Sequence, residues 1–337
     1  MKKLIYFAVV MITIVVMLPL TIVKGCGPSY APKPHEKEIA VPELEQKKIT
    51  VYNPSLERID EMVLDEYIKG VLAAEMPADF SLEALKAQAV AARTFAYGRM
   101  TGVYKAKQDT HEGADICTNS AHCQAWMSKE AAKKKWSALF AARNWAKIER
   151  AVKETSEMIV VYQGSIANTL FHASSCGKTE NAEEVWSGVS VPYLRSVESD
   201  GEEASRGYIT TISLEIEQMI EKLSETFPEN SFSEDMLEGI KIMDYTTGGR
   251  VKTILVGDVT MKGTQFRTLF GLRSSCFTLR LEDEKLEITT TGHGHGVGMS
   301  QWGADSLAKK GGTYIEILKH YYTGVDIVSI QHYENVK

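Results

Sequence analysis

Residues 64–96 read LDEYIKGVLAAEMPADFSLEALKAQAVAARTFA, and this stretch decides how the chain is built. In its first part Tyr67, Ile68, Val71 and Leu72 recur at helical spacing, with Gly70 the only weak position. Met76-Pro77 ends that helix, because the residue before a proline is pushed out of helical backbone geometry. A second helix starts at once: Ser81 is placed to cap it, Phe80 to staple onto Leu85, and Leu82, Leu85, Ala89, Ala92 and Ala96 form an apolar stripe. Glu75 therefore falls at a tight corner between two well-specified helices, a rigid place to hold one carboxyl in a cleft. Partial desolvation there disfavours the charged form and suits the group to give a proton to a leaving oxygen. The plain alternative is a solvated helix-end glutamate, and Asp79 is the nearest other acid.

Upstream, Leu4 to Val23 is an uncharged run of twenty residues. As a helix it would reach roughly 30 Å and cross a bilayer. No small-residue cleavage site follows it clearly, and Lys24 two residues before Cys26 fits a lipoprotein site poorly. With Lys2 and Lys3 ahead of the span, the N-terminus is expected in the cytoplasm and the rest outside, on a single-pass anchor in the cell membrane. Pro28, Pro32, Pro34 and Pro42 then mark an extended tether. The expected organisation is a tip and anchor at 1–26, a linker at 27–48, a folded region of two subdomains at 49–330, and a tail at 331–337.

The 337 residues are 44% hydrophobic and 24% charged, so most of the chain folds around a core. A net charge of −6 disfavours phosphate-backbone binding as a main activity, hence no nucleic-acid partner is expected. No repeat period suggests a solenoid or propeller. Short strands are expected at Ile49–Tyr52, Arg58–Val63, Met158–Tyr162, Ile166–Phe171, Val251–Val259, Phe277–Leu281 and Leu286–Thr290. Besides the helical corner, helices are expected around Ala132–Phe140 and Trp145–Val152, and at Ile212–Phe227, Ser300–Lys309 and Tyr314–Tyr322. This mixture of helices and short-stranded sheets is an α+β fold, not a regular βαβ series.

Gly292 to Gly303 holds five glycines and two histidines in twelve residues, a loop that lets backbone approach a ligand closely. His111, Cys117, His122 and Cys123 supply four soft or borderline ligands within thirteen residues, as a closed structural zinc site takes. A Cys117–Cys123 disulfide, or unconnected surface residues, are the other readings of that stretch. Cys176 and Cys276 each follow a Ser-Ser pair. A thiol nucleophile with His172, His293 or His295 as base lacks an identifiable orienting group, and a disulfide or two buried thiols are equal alternatives.

The run Leu72 to Phe80, continuing through Glu83 to Thr94, closely resembles the stage II sporulation protein D family. So do the His293 to Gly303 run, the Ser174 to Thr179 loop, Glu183 to Trp186 and Pro192 to Leu194. Together these span about Ile49 to Ile330. The resemblance implies a lytic transglycosylase that cleaves peptidoglycan between N-acetylmuramic acid and N-acetylglucosamine and leaves a 1,6-anhydro end. It places the catalytic glutamate at Glu75, and explains why a second carboxylate at fixed separation is not obvious, since hydrolases pair two. Candidates to line the glycan groove are Arg93, Ser174, Ser175, Lys178, Thr179, Tyr193, His293, His295, Ser300 and Gln301. The implied substrate is glycan stripped of its peptides. The implied partners are the sporulation amidase SpoIIP and the membrane protein SpoIIM, in engulfment of the forespore by the mother cell.

Two other classes compete. In a non-enzymatic peptidoglycan-binding module Glu75 would only accept sugar hydroxyls. A metallopeptidase using His293 and His295 lacks H-E-x-x-H or a comparable third ligand.

Overall fold

A hairpin leads straight into the helical corner. In the computed structural model, which describes residues 47–336 apart from 105–110, 112, 187, 234, 236–238 and 283–284, β1 (Lys48–Asn53) pairs antiparallel with β2 (Arg58–Val63). The chain continues into α1 (Leu64–Glu75) and, past the proline break, α2 (Leu82–Met100). Met76 is extended at φ −116° and ψ 145°, as its place before Pro77 requires. Ser81 stands at the start of α2 without a side-chain capping bond; its N–H donates instead to Asp305 Oδ1 at 2.7 Å. Phe80 packs edge-on against Trp302, with ring centroids 4.8 Å apart.

β3 (Ile116–Cys117) lies parallel to β1. The helices α3 (Lys129–Lys135) and α4 (Ala138–Glu154) follow, then β4 (Met158–Tyr162), which turns at Gln163-Gly164 into β5 (Ser165–Ile166). The strand expected at Ile166–Phe171 is broken after Ile166. The Asn168 N–H donates to the Tyr193 hydroxyl and the Thr169 hydroxyl to the Ala91 carbonyl, drawing that segment away from a hairpin ladder. β6 (Phe171–His172) pairs elsewhere, in parallel with β13 (Met299–Ser300). That pairing sets the His172–Thr179 loop beside the glycine-histidine run.

Between α5 (Ala182–Val185) and β13 the chain forms β7 (Ile209–Glu215), α6 (Ile216–Thr226), β8 (Lys241–Tyr245), β9 (Val251–Val256), β10 (Val259–Lys262), α7 (Gly263–Leu269), β11 (Phe277–Glu282) and β12 (Lys285–Thr291). These make two three-stranded antiparallel sheets, ordered β10-β9-β8 and β11-β12-β7. Ile212–Glu215, expected as helix, is strand: the β-branched run Ile209 to Ile212 pairs with β12, Ile212 opposite Ile288, and the helix begins only at Ile216. This segment has its own apolar core, including Met219, Leu223, Ile254, Phe266, Phe277 and Ile288.

The larger core surrounds α2, whose Leu85, Ala89, Ala92 and Ala96 are fully buried, as are Tyr67, Ile68, Val71 and Leu72 of α1. After β13 the chain ends with α8 (Gln301–Lys309), α9 (Tyr314–Tyr321), β14 (Asp326–Ser329) against β4, and α10 (Ile330–Val336). The residues expected as a tail are therefore helical up to Val336, with Tyr333 buried beside Tyr97, whose hydroxyl donates to Glu334 at 2.6 Å. No helix among the described residues is long and apolar enough to cross a membrane, and the expected anchor and most of the tether lie outside those residues.

Candidate active site

Glu75 ends α1 and opens into a cleft of about 660 Å³. His122, Gln124, His172, Trp186, Arg267, His293, His295 and Gln301 also line it, and Glu75 is the only carboxyl among the described lining residues. Asp79 is exposed and lines a different depression, beside Arg143 and Lys147. Burial pushes the Glu75 carboxyl above its ordinary range, while the Ala125 N–H, the Gln301 side chain and Lys135 pull it back. The Ala125 N–H donates to Glu75 Oε1 at 2.8 Å, leaving the rest of the carboxyl to face the cleft. Such a group holds a proton more readily than a solvated glutamate and can give it up to a bound oxygen.

The histidines opposite are neutral bases. Burial, followed by the charges of Arg267 and Arg250, takes His295 down to about 4. His293 is lowered by burial and Arg273. His172 is held well below its usual value by burial and by His295. The Val297 N–H donates to His295 Nδ1 at 3.0 Å, and Arg273 donates to His293 Nδ1 at 3.0 Å. The Nδ1 of His172 faces the Val297 carbonyl at 3.3 Å, and its buried Nε2 has no hydrogen-bond partner among the described residues. With the proton on Nδ1, Nε2 is a buried acceptor, which fits a neutral imidazole. His295 lies between His172 and the partly exposed Trp186, at ring separations of 5.7 and 5.2 Å.

The glycine-histidine run has this composition because other groups press on it. At Gly296 (φ +86°) a β-carbon would stand 2.2 Å from the Arg250 guanidinium. Ser174 pairs with His293 through both backbone N–H groups, at 3.1 and 2.8 Å. Ser300 then caps α8 by accepting the Gly303 N–H at 3.2 Å, which brings Gln301 to the cleft.

Of the residues expected to line a groove, His293, His295 and Gln301 share the cleft with Glu75. Ser174, Ser175, Thr179 and Ser300 are buried behind it, in contacts that hold the loops. Lys178 is exposed and pairs with Glu198, and the Tyr193 hydroxyl accepts the Asn168 N–H. Arg93 is corrected outright. It is 1% exposed, pairs with Asp65 at 2.9 Å, and donates to the Val152 and Thr155 carbonyls at the end of α4 and to Met158. It is a helix-end cap and a structural ion, because an unpaired cation cannot be buried at that depth. Gln124, His172, Trp186 and Arg267 line the cleft without having been expected as groove residues. Trp186 and His172 had a signal, the first ending one motif segment and the second standing just before another; Gln124 and Arg267 had none, since tertiary packing alone brings them in.

His111, Cys117, His122 and Cys123 do gather, their ligand atoms all within 4.8 Å of one another. His111 Nε2 and His122 Nδ1 are 2.9 Å apart, and Cys123 Sγ lies 3.2 and 3.4 Å from them. Two imidazole nitrogens and two sulfurs turned toward a common centre fit the donor set of a tetrahedral structural zinc. The Cys176 thiol faces the Gly248 carbonyl at 3.7 Å and Cys276 the Gly249 carbonyl at 3.8 Å. Neither lines the cleft, so neither of these two thiols shares the site with Glu75; the cleft's own cysteine, Cys123, belongs to the His/Cys cluster.

The architecture and cleft define an α+β protein whose site, among the described residues, sets one acid from a helical corner against a glycine-histidine loop. The chain matches the family described as "SpoIID: Stage II sporulation protein" over residues 52–162. It is 34% identical over 327 residues to stage II sporulation protein D of Bacillus amyloliquefaciens, covering 95% of this chain and 92% of the relative. With stage II sporulation protein D of Bacillus subtilis (strain 168) it shares 35% identity over 295 residues, 88% of this chain and 83% of the relative. The amidase enhancer of Bacillus subtilis (strain 168) is 28% identical over 314 residues, 78% of this chain and 40% of that protein. The chain belongs to the stage II sporulation protein D family.

Proposed function

We propose that this chain is a lytic transglycosylase that cleaves peptide-stripped peptidoglycan strands between N-acetylmuramic acid and N-acetylglucosamine during forespore engulfment. The observation that carries the reading is Glu75, the one carboxyl among the described residues lining the cleft, facing neutral histidines. A hydrolase of the usual kind pairs two carboxyls, one to protonate and one to attack or activate water. A reaction in which the sugar's own 6-hydroxyl attacks needs only one.

Glu75, protonated, gives its proton to the glycosidic oxygen as the bond from the muramic C1 breaks and its electron pair goes to that oxygen. The 6-hydroxyl oxygen bonds to C1, and the Glu75 carboxylate takes its proton, restoring the acid. The Ala125 N–H stabilises the carboxylate between the two transfers, and Gln301, whose side-chain nitrogen has no hydrogen-bond partner among the described residues, lines the same cleft. Trp186, partly exposed on the cleft wall, offers a ring face to a pyranose. Zinc held by His111, Cys117, His122 and Cys123 would supply a structural tie and no chemistry at the sugar. The run Leu4–Val23 supports a single-pass anchor that leaves this region outside the cytoplasm, in the mother-cell membrane. SpoIIP, as the enzyme that removes the peptides, and SpoIIM are the partners this role implies.

The test is product analysis by mass spectrometry after incubation with peptide-stripped glycan. The reading expects anhydro-ended fragments, lost by about 10²- to 10⁴-fold in Glu75→Gln with strand binding kept. Intact strands that merely co-sediment with the protein would establish the binding module instead.

A further inference from the structure

Glu202 is a buried carboxyl that the proposed reaction does not use. It opens the one-turn helix Glu202–Ala204 and is 1% exposed. Its Oε1 accepts the Ser175 hydroxyl at 2.7 Å and the Ser199 hydroxyl; its Oε2 accepts the Ser175 N–H and, at 2.8 Å, the Ser300 hydroxyl. Ser199 is in turn bonded to the Tyr321 hydroxyl at 2.8 Å. These donors come from separate segments: the His172–Thr179 loop, the stretch at Ser199 just after the isolated bridge at Glu198, and the glycine-histidine run.

Ser300 is where this reaches the cleft. A serine hydroxyl has one proton, and here it points at Glu202. The oxygen's lone pairs are then left for the Gly303 N–H, which they accept as the cap of α8. The next residue, Gln301, lies beside Glu75, and the Trp302 N–H ties the same turn to the Ala173 carbonyl at 3.1 Å. Ser175, the other main partner, follows Ser174, which is paired to His293. One carboxyl thus fixes both loops that face Glu75.

We propose that Glu202 is a positioning residue for Glu75: by clamping Ser300 and Ser175 it sets the first turn of α8 so that Gln301 is presented to the acid. As a statement about turnover this rests on the lytic reading above. As a statement about the turn it does not.

Glu202→Gln keeps the shape but places an NH₂ donor among donors, and the Ser175 N–H cannot reverse. Ser300→Ala cuts the same link from the other end and serves if Glu202→Gln fails to fold. On peptide-stripped glycan, kcat per folded molecule is expected to fall about 10- to 100-fold with KM within about threefold, as for a displaced catalytic geometry. Gln301→Ala should give a comparable fall, and combining it with Glu202→Gln or Ser300→Ala should cost no more than the worse single change. A purely structural carboxyl would lower the melting temperature and leave kcat per folded molecule at the wild-type value, which would overturn the proposal; so would losses that multiply. Amide hydrogen exchange gives a readout that needs no turnover. Faster exchange at Trp302 and Gly303 in Glu202→Gln, where the Ser300 cap itself is kept, with α9 unchanged, supports the clamp even if the wild-type chain yields no anhydro product, a result that would sink only the lytic reading. Unchanged exchange at those two amides overturns the clamp.

Discussion

The Ala125 N–H donates to Glu75 at 2.8 Å, and Ala125 stands two residues beyond Cys123. The preceding residue, Gln124, accepts from the hydroxyl of Tyr67 on the same helix as Glu75, at 3.2 Å. The acid and the His/Cys cluster are therefore held by a single short loop, and whatever orders His111 to Cys123 also sets the environment of the proton donor.

Chelation follows from that connection. If zinc ties the loop, stripping it removes the support of the Ala125 N–H, and turnover should fall about 10- to 100-fold, the usual cost of losing a supporting contact at one remove. The melting temperature should fall with it, because metal binding to a site absent from the unfolded chain is folding free energy. Cys117→Ser should reproduce both effects without chelator. Elemental analysis of the purified protein with calorimetry before and after chelation is the check; a protein free of zinc whose melting is indifferent to chelator would refute the site.

The pH behaviour of Glu75 has a definite sign. Its folded-state pKa is raised by burial above the ordinary carboxyl value. The folded protein thus binds this proton more tightly than the unfolded chain, a contribution complete below the unfolded pKa and lost as pH rises through the folded one. At neutral pH the ionised carboxylate is a net cost to the fold. Glu75→Gln should therefore melt at a higher temperature than wild type at pH 7, with the gain shrinking near pH 4, while turnover falls by about 10²- to 10⁴-fold. Calorimetry at the two pH values decides it: a variant less stable at both would show the carboxylate to be a net stabiliser. The same shift places the alkaline fall of wild-type kcat above the pH at which a solvated glutamate would titrate.

The helical corner was legible because periodicity and Pro77 both act locally, and its alanine stripe became the packed face of α2. The glycine-histidine run was legible as a site because so much glycine signals close approach. Arg93 was misread for a physical reason. A cation in an alanine-rich helix looks like a ligand contact until Asp65 and the carbonyls ending α4 are seen around it, and none of them is near it in sequence. The start of α6 was misplaced because Ile212 and Leu214 suit either period, and only pairing with β12 decides for strand. Glu202 gave no signal, since its meaning lies entirely in serines brought from other segments.

Gly303 sets two effects of opposite sign against each other. In an exposed helix, glycine to alanine stabilises by about 1 kcal/mol through backbone entropy. Here a β-carbon would stand 2.1 Å from the Tyr321 hydroxyl, 2.3 Å from Ser199 Oγ and 3.1 Å from Glu202 Oε1. Tyr321 is fully buried and cannot swing into solvent, so the hydroxyl network on Glu202 has to open. Overpacking of that kind costs about 1–3 kcal/mol, which exceeds the entropic gain, and Gly303→Ala should be net destabilising in denaturant melts. Tyr321→Phe removes the nearest clashing oxygen. In that background Gly303→Ala should cost measurably less, whereas equal costs in both backgrounds would mean that the clash with the tyrosine hydroxyl is not what requires glycine there.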